Sequence, residues 1–74
     1  MEWQFFEEDN RLQFIDHRLS HLYWINLSGD IFHLNYSSDL FNLDTFDIID
    51  ISEDLDYLKF QAEKHYKEIL EYIV

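Results

Sequence analysis

The only glycine of the chain, Gly29, stands between two runs in which apolar residues occupy every second position. These apolar positions are Tyr23, Ile25 and Leu27 before the glycine, and Phe32, Leu34 and Tyr36 after it. Alternation with a period of two residues is typical of a half-buried strand, and glycine supplies the positive φ angle that tight hairpin turns need. The segment Ser28-Gly29-Asp30 therefore predicts the turn of a β-hairpin.

A second hairpin is predicted at the start of the chain. Trp3 and Phe5 alternate with other residues, residues 7–10 form a polar cluster, and Leu12 and Phe14 resume the alternation. Polar clusters between alternating runs are typical of hairpin turns. Together the two hairpins cover residues 1–36 and predict an antiparallel sheet of about four strands.

The C-terminal segment, residues 53–73, has helical periodicity. At 100° per residue one narrow stripe collects the apolar positions Leu55, Leu58, Ala62, Tyr66, Ile69 and Ile73. Ser52 is the predicted cap, and Glu53 and Asp54 suit the positive end of the helix dipole. The strand before Gly29 has a second apolar face, Leu22 and Trp24, which needs a cover, and we expect the helix to supply it.

Residues 37–52 follow neither periodicity and connect the sheet to the helix. Their start is compatible with one helical turn capped by Ser38, and their isoleucine-rich end with a short edge strand whose acids block further pairing. Because the chain has no proline and one glycine, nothing suggests a linker between domains. The sequence thus predicts one compact α+β domain over residues 1–74.

Negative charge is concentrated in the middle of the chain. The formal net charge is −11, and residues 39–56 hold seven acids and no lysine or arginine. A field of this sign repels nucleic acid and anionic membranes and attracts basic proteins. We call this set the acidic block; its members are Asp39, Asp44, Asp47, Asp50, Glu53, Asp54 and Asp56.

Fixed carboxylates can stand in for the phosphates of a nucleic acid. Duplex DNA presents one phosphate every ~3.4 Å of axis per strand, and carboxylates at comparable intervals can occupy the DNA or RNA channel of a protein. In size, charge and aromatic content alone, the chain resembles the small acidic inhibitors that phages make against restriction and CRISPR effectors to evade antiviral defence. A solvated acidic face without a target explains the same charge.

Aromatic residues are the second candidate binding groups. The chain has 14 large rings, which exceeds the evident need of a core of this length. Tyr57 and Phe60 lie off the apolar stripe of the helix, where they either pack against a neighbouring segment or contact a partner. With Trp24 they are predicted to be exposed and to complete the partner-binding surface with the acidic block.

Catalysis, metals and cofactors are not expected. The chain has no cysteine nucleophile, no glycine-rich phosphate loop and no serine elbow motif. His17 and His21, with Asp16 adjacent and His33 elsewhere, would suit a metal ion only if they lay on a helix, and their surroundings predict strand and connector. The two arginines, Arg11 and Arg18, are expected to pair with nearby acids such as Glu8 and Asp16.

Three classes of function agree with these features. The first is a cytoplasmic inhibitor that covers the basic, nucleic-acid-binding surface of a target enzyme. The second is an immunity protein or antitoxin that neutralises a basic toxin. The third is a homo-oligomeric structural or regulatory subunit, such as a homodimer, whose acidity serves only solubility. No export signal or membrane span is recognisable in the sequence, so the cytoplasm is the expected location.

Overall fold

Within residues 1–73, five strands pair in the order of the sequence, and one helix follows them. The structure is a computed structural model that describes residues 1–73, apart from the side chain of Ile73. Every strand is antiparallel to its neighbours in the order β1-β2-β3-β4-β5. The elements are β1 (Gln4–Phe6), β2 (Arg11–Asp16), β3 (His21–Asn26), β4 (Phe32–Ser37), β5 (Asp47–Ser52) and α1 (Leu55–Ile73).

The predicted α+β class is confirmed, with five strands instead of about four. The end of the connector supplies the extra strand, because β5 pairs with β4 at the edge of the sheet. The structure therefore contains the short edge strand predicted at the isoleucine-rich end of this segment. The predicted place of Ile73 in the apolar stripe lies outside the described residues.

Both predicted hairpins form, with turns at the same end of the sheet. Gly29 has a φ angle of 83°, and Asn10 closes the first turn at 47°. The amide of Leu27 donates a hydrogen bond to the carbonyl oxygen of Asn10 at 2.9 Å. This bond holds the connection between β3 and β4 against the connection between β1 and β2.

Helix α1 covers the face of the sheet that carries the alternating residues of the second hairpin. Leu58 and Ala62 are fully buried there. They pack in one cluster with Tyr23, Ile25, Leu34 and Tyr36. The expectation that the helix covers Leu22 and Trp24 is therefore wrong, because the first face offers apolar residues from both strands of the hairpin and buries more apolar area.

The connector covers the part of the second face that carries Trp24. The Phe46 ring lies 5.2 Å from the Trp24 ring, and the amide of Leu40 donates to the carbonyl oxygen of Ser20 at 2.8 Å. The Ser37 hydroxyl lies 3.0 Å and 3.2 Å from the carbonyl oxygens of Asp39 and Thr45, which brings the two ends of the loop together. The helical turn predicted at Ser38 is absent from the described chain, because Ser37 organises this segment as turns.

A β-bulge sets which side chains of β5 face the helix. Leu34 pairs with Asp50, whereas the next residue of β4, Asn35, pairs with Ile48, so that Ile49 is the extra residue. Asp47 and Asp50 consequently lie on the helix side of the sheet. Ile48 and Ile51 lie on the other side, which we call the open face.

Asp54 caps the helix in place of Ser52. Oδ1 of Asp54 accepts a hydrogen bond at 3.1 Å from the amide of Tyr57, three residues later in the chain, as an N-cap requires. The hydroxyl of Ser52 instead accepts a hydrogen bond from the amide of Asp54 at 3.0 Å. The helix accordingly begins at Leu55, two residues later than predicted.

Candidate functional site

The residues of the acidic block lie along one edge of the sheet. Asp39 and Asp44 lie in the connector, Asp47 and Asp50 on β5, and the remaining three acids around the start of α1. A strand of six residues spans roughly 20 Å, so the two ends of the block are well separated. The fold therefore presents the block as a line of charge.

Three carboxylates of the block stabilise the fold locally. Asp39 accepts a hydrogen bond from the amide of Phe41 at 2.9 Å, and Asp54 caps α1. Asp50 accepts from the amide of Ile51 at 2.8 Å and from the side chain of Gln61 at 3.2 Å. The Ile51 amide, followed by Gln61, lowers the pKa of Asp50. Replacing any of these three carboxylates disturbs the fold as well as the charge.

The side chains of the other four acids of the block form no such local hydrogen bond within residues 1–73. Asp44, Asp47, Glu53 and Asp56 are exposed. Within residues 1–73, none of the seven carboxylates of the block forms an ion pair with a lysine or arginine. Their charge is therefore not neutralised by the protein itself and extends into the solvent.

The hairpin connections contribute acids that the sequence alone does not assign to the partner-binding surface. The connections β1–β2, β3–β4 and β5–α1 all lie at one end of the sheet, as the Leu27–Asn10 bond and the pairing of Phe32 with Ser52 require. We call this end the acidic end. Its exposed acids are Glu7, Glu8, Asp9, Asp30, Glu53 and Asp54.

Arg11 and Arg18 neutralise few of these charges. Arg18 lies 3.7 Å from Asp16, as expected, whereas Arg11 lies 3.8 Å from Asp9 and not beside Glu8. Only one acid of the acidic end, Asp9, thus has a basic partner among the described residues. The signal that could have identified this cluster is the up-and-down order of the strands, which places alternate connections at the same end.

Of the three predicted binding rings, Trp24 lies on the open face, whereas Tyr57 and Phe60 both lie on helix α1. Trp24 retains only 8% exposure under Phe46, so its predicted exposure is wrong. Tyr57 is exposed, but its hydroxyl accepts a hydrogen bond from Gln61 at 3.1 Å, and the nearby Asp50 carboxylate raises the pKa of Tyr57. Phe60 is exposed beside Lys64 and Lys67 on the outer side of α1. Tyr57 thus adjoins the acidic block at Asp50, whereas Trp24 is buried and Phe60 lies beside lysines.

A different set of apolar side chains is exposed on the open face. Phe46, Ile48 and Ile51 are 47%, 54% and 50% exposed, and we call them the isoleucine patch. Ile48 shares a row of the sheet with Asn35 and Trp24, and Phe46 packs on Trp24. Sequence reasoning missed this patch because the bulge at Ile49 decides which isoleucines share a face.

Tyrosine and histidine side chains form a polar cluster between the sheet and α1. The Tyr23 hydroxyl lies 2.7 Å from Nδ1 of His65, and the Tyr36 hydroxyl lies 3.1 Å from Nδ1 of His21. The Tyr66 hydroxyl donates to Asp16, and this bond lowers the pKa of the Asp16 carboxyl. Burial raises the pKa of Tyr23 and lowers the pKa of His65. Because these groups bond to one another, the cluster acts as part of the core.

The described residues show neither a cluster of metal ligands nor a membrane-spanning helix. Among them, no three histidine or carboxylate side chains are arranged to hold a metal ion. No helix within residues 1–73 combines the length and apolar composition needed to cross a membrane.

No family model matches the chain, and no curated protein or solved structure is similar to it.

Proposed function

We propose that the protein inhibits another protein in the cytoplasm by covering a basic surface that ordinarily holds DNA or RNA. The observation that carries this proposal is the set of exposed carboxylates without an ion pair, which extends from the connector along β5 to the acidic end. Exposed carboxylates of this kind attract a basic partner and steer its approach. Direct binding to nucleic acid is opposed by the formal net charge of −11.

Affinity capture tests the proposal. Tagged protein is incubated with a bacterial lysate, bound proteins are eluted with a salt gradient, and the eluted proteins are identified by mass spectrometry. We expect a nucleic-acid-binding protein to be retained at low salt and released as salt rises, because screening weakens attraction between exposed charges. A duplex DNA or RNA oligonucleotide should compete for the same partner. A complex indifferent to both salt and nucleic acid contradicts the proposal.

A pair of matched triple variants separates position from net charge. Glu7→Gln, Glu8→Gln and Glu53→Gln remove three exposed carboxylates from the acidic end. The control replaces the exposed residues Glu2, Glu68 and Glu71 in the same way, so that both triples change the net charge equally. We expect the first triple to slow association with the captured partner by about tenfold and the control to slow it less. Equal effects would mean that only the total charge matters.

Three other acids of the block are tested separately with Asp44→Asn, Asp47→Asn and Asp56→Asn. All three side chains are exposed and lie in the acidic block. Asp50 is left unchanged, because its carboxylate bonds Ile51 and Gln61. Slower association with an unchanged melting temperature would place binding in the block. Unchanged association would exclude these three acids from the surface.

Two other functions remain as alternatives to this proposal. An immunity protein or antitoxin would use the same electrostatics, and capture of a basic toxin encoded by a neighbouring gene would favour it. A homo-oligomeric subunit is favoured by one observation, the exposure of the isoleucine patch. Recovery of the protein itself as the only captured species would support the homo-oligomer.

A further inference from the structure

The isoleucine patch is a preformed apolar surface. Phe46 packs on Trp24, and Ile48 lies beside Asn35 in one row of the sheet; Trp24 and Asn35 are both buried. The Asn35 amide group lies 3.4 Å from the carbonyl oxygen of Trp24 and 3.2 Å from that of His33, so it is bonded to strand backbone. The base of the patch is therefore fixed. Binding of a partner to Ile48 and Ile51 consequently costs this protein little conformational entropy.

The charges around the patch determine the kind of partner that fits. The connector that supplies Phe46 also carries Asp44, and Glu53 follows β5 directly. The three lysines all belong to α1, on the other side of the sheet. Arg11, which pairs across the sheet with Asn26 of the open face, forms an ion pair with Asp9. The patch is thus apolar in an acidic setting, which complements a basic surface.

A second copy of the chain is a poor occupant of this surface. Contact between two open faces would bring the acids of both copies together, and each copy has a formal net charge of −11. Like charges brought together across an interface cost several kcal/mol. Charge complementarity therefore favours a foreign, basic protein.

Binding by strand addition at β5 is also disfavoured. The Ile51 amide already donates to the Asp50 carboxylate at 2.8 Å. An added strand would have to displace this bond to use the amide. A partner is therefore expected to contact the side chains of the open face.

We infer that the isoleucine patch binds an apolar or aromatic side chain that protrudes from a lysine- and arginine-rich protein surface. The inference rests on the proposed function and identifies the contact that keeps the complex together. The carboxylates govern the rate of capture, and burial of the patch governs the rate of dissociation. Ile48 and Ile51 replace Trp24 as the anchoring side chains.

Isoleucine methyl NMR with two peptides tests the inference. One probe is a peptide of nine lysines, and the other contains nine lysines interspersed with three phenylalanines. Selective labelling of the Ile δ1 methyl groups gives separate signals for Ile48 and Ile51 and for the buried reference Ile25. We expect the phenylalanine peptide to shift the signals of Ile48 and Ile51, whereas oligolysine leaves them in place.

A double variant provides the energetic test. Ile48→Thr with Ile51→Thr keeps β-branched residues in the strand and removes apolar surface. We expect it to weaken binding of the phenylalanine peptide by about tenfold and to leave oligolysine binding unchanged. Ile31→Thr is the matched control, because Ile31 is 54% exposed but lies in the connection between β3 and β4.

The outcomes separate this inference from the proposed function. If neither peptide binds in a salt-dependent way, both fail. If both peptides bind with equal affinity and the Ile48 and Ile51 signals do not move, the inference fails while the proposed function stands. Sedimentation equilibrium provides a third test. If the wild-type protein is a dimer and the double variant is a monomer, the patch binds a second copy of the chain and the inference of a foreign partner is overturned.

Discussion

The Tyr23 hydroxyl lies 2.7 Å from Nδ1 of His65 and joins the centre of the sheet to the middle of helix α1. The His65 ring also packs against Tyr36, with 4.7 Å between ring centroids. Burial lowers the pKa of His65 and His21 lowers it further, whereas Glu68 and Asp47 oppose the shift. The neutral form of His65 is therefore the form that the core favours.

The first prediction concerns stability at mildly acidic pH. Because the folded pKa of His65 lies below its ordinary value of 6.5, the unfolded chain binds the proton more readily. The contribution of His65 is fully present above pH 6.5 and is lost as the pH falls through its folded pKa. We expect the melting temperature to decrease between pH 7 and pH 5, and His65→Gln to reduce that decrease. The exposed His17→Gln is the control, and an equal effect from it would refute the assignment to His65.

The second prediction concerns the hydroxyl of Tyr23. Tyr23→Phe keeps the buried ring but leaves Nδ1 of His65 without this partner. We expect a loss of about 1–2 kcal/mol in the free energy of unfolding, measured in urea at pH 8. Tyr72→Phe changes an exposed tyrosine and should have no effect. Equal stability of both variants would mean that the hydroxyl contributes nothing to the core.

The third prediction distinguishes Asp54 from its acidic neighbour. Asp54→Ala removes the acceptor for the Tyr57 amide and should cost about 1 kcal/mol. Asp54→Asn keeps an acceptor oxygen and should cost less. Glu53→Ala changes an exposed side chain beside the cap and should leave stability nearly unchanged. Thermal unfolding compares the three, and a larger loss for Glu53→Ala would contradict the capping geometry.

The fourth prediction concerns backbone strain at Gly29. Its φ angle is 83°, and a Cβ atom placed there meets nothing within 4 Å. Gly29→Ala should therefore destabilise the fold through its backbone conformation alone, by about 1–2 kcal/mol. Gly29→Asn should cost less, because asparagine enters this region more readily. If the alanine variant unfolds at the wild-type temperature, the turn has another conformation.

The fifth prediction concerns association through the edge of the sheet. Asp50→Ala removes the acceptor of the Ile51 amide from the edge strand. An uncovered edge is a template for pairing with another chain, so we expect aggregation on concentration, measured by light scattering. Asp47→Ala removes the same charge from β5 and is the control. Equal scattering would assign the effect to lost charge instead of the freed amide.

Local patterns in the sequence predict the two hairpins and the helix because each of these elements is encoded in neighbouring residues. Gly29 marks one turn, and the apolar stripe of α1 marks the helix. Strand β5 is harder to recognise in the sequence. Its bulge inserts Ile49 as an extra residue, and this insertion interrupts the alternation with a period of two. The cover over Trp24 depends on a loop that folds back across the sheet, and periodicity carries no information about it.

The candidate site was predicted in composition but not in arrangement. The sequence identified the acidic block, yet it could not separate Asp44, which is free of local contacts, from Asp54, which caps a helix. Glu7 and Asp30 join the acidic end only because the connections of the sheet meet there. Such proximity between distant residues follows from topology and has no local signature.

The order of the strands has a consequence for how the chain folds during synthesis. Each strand pairs only with the strand before or after it, so the sheet can grow from the β3–β4 hairpin without closing long loops. Helix α1 follows the sheet in the chain, and until it docks, Ile25 and Leu34 have no cover. Until α1 has emerged from the ribosome and docked, the nascent chain therefore exposes this apolar face, which is prone to aggregation.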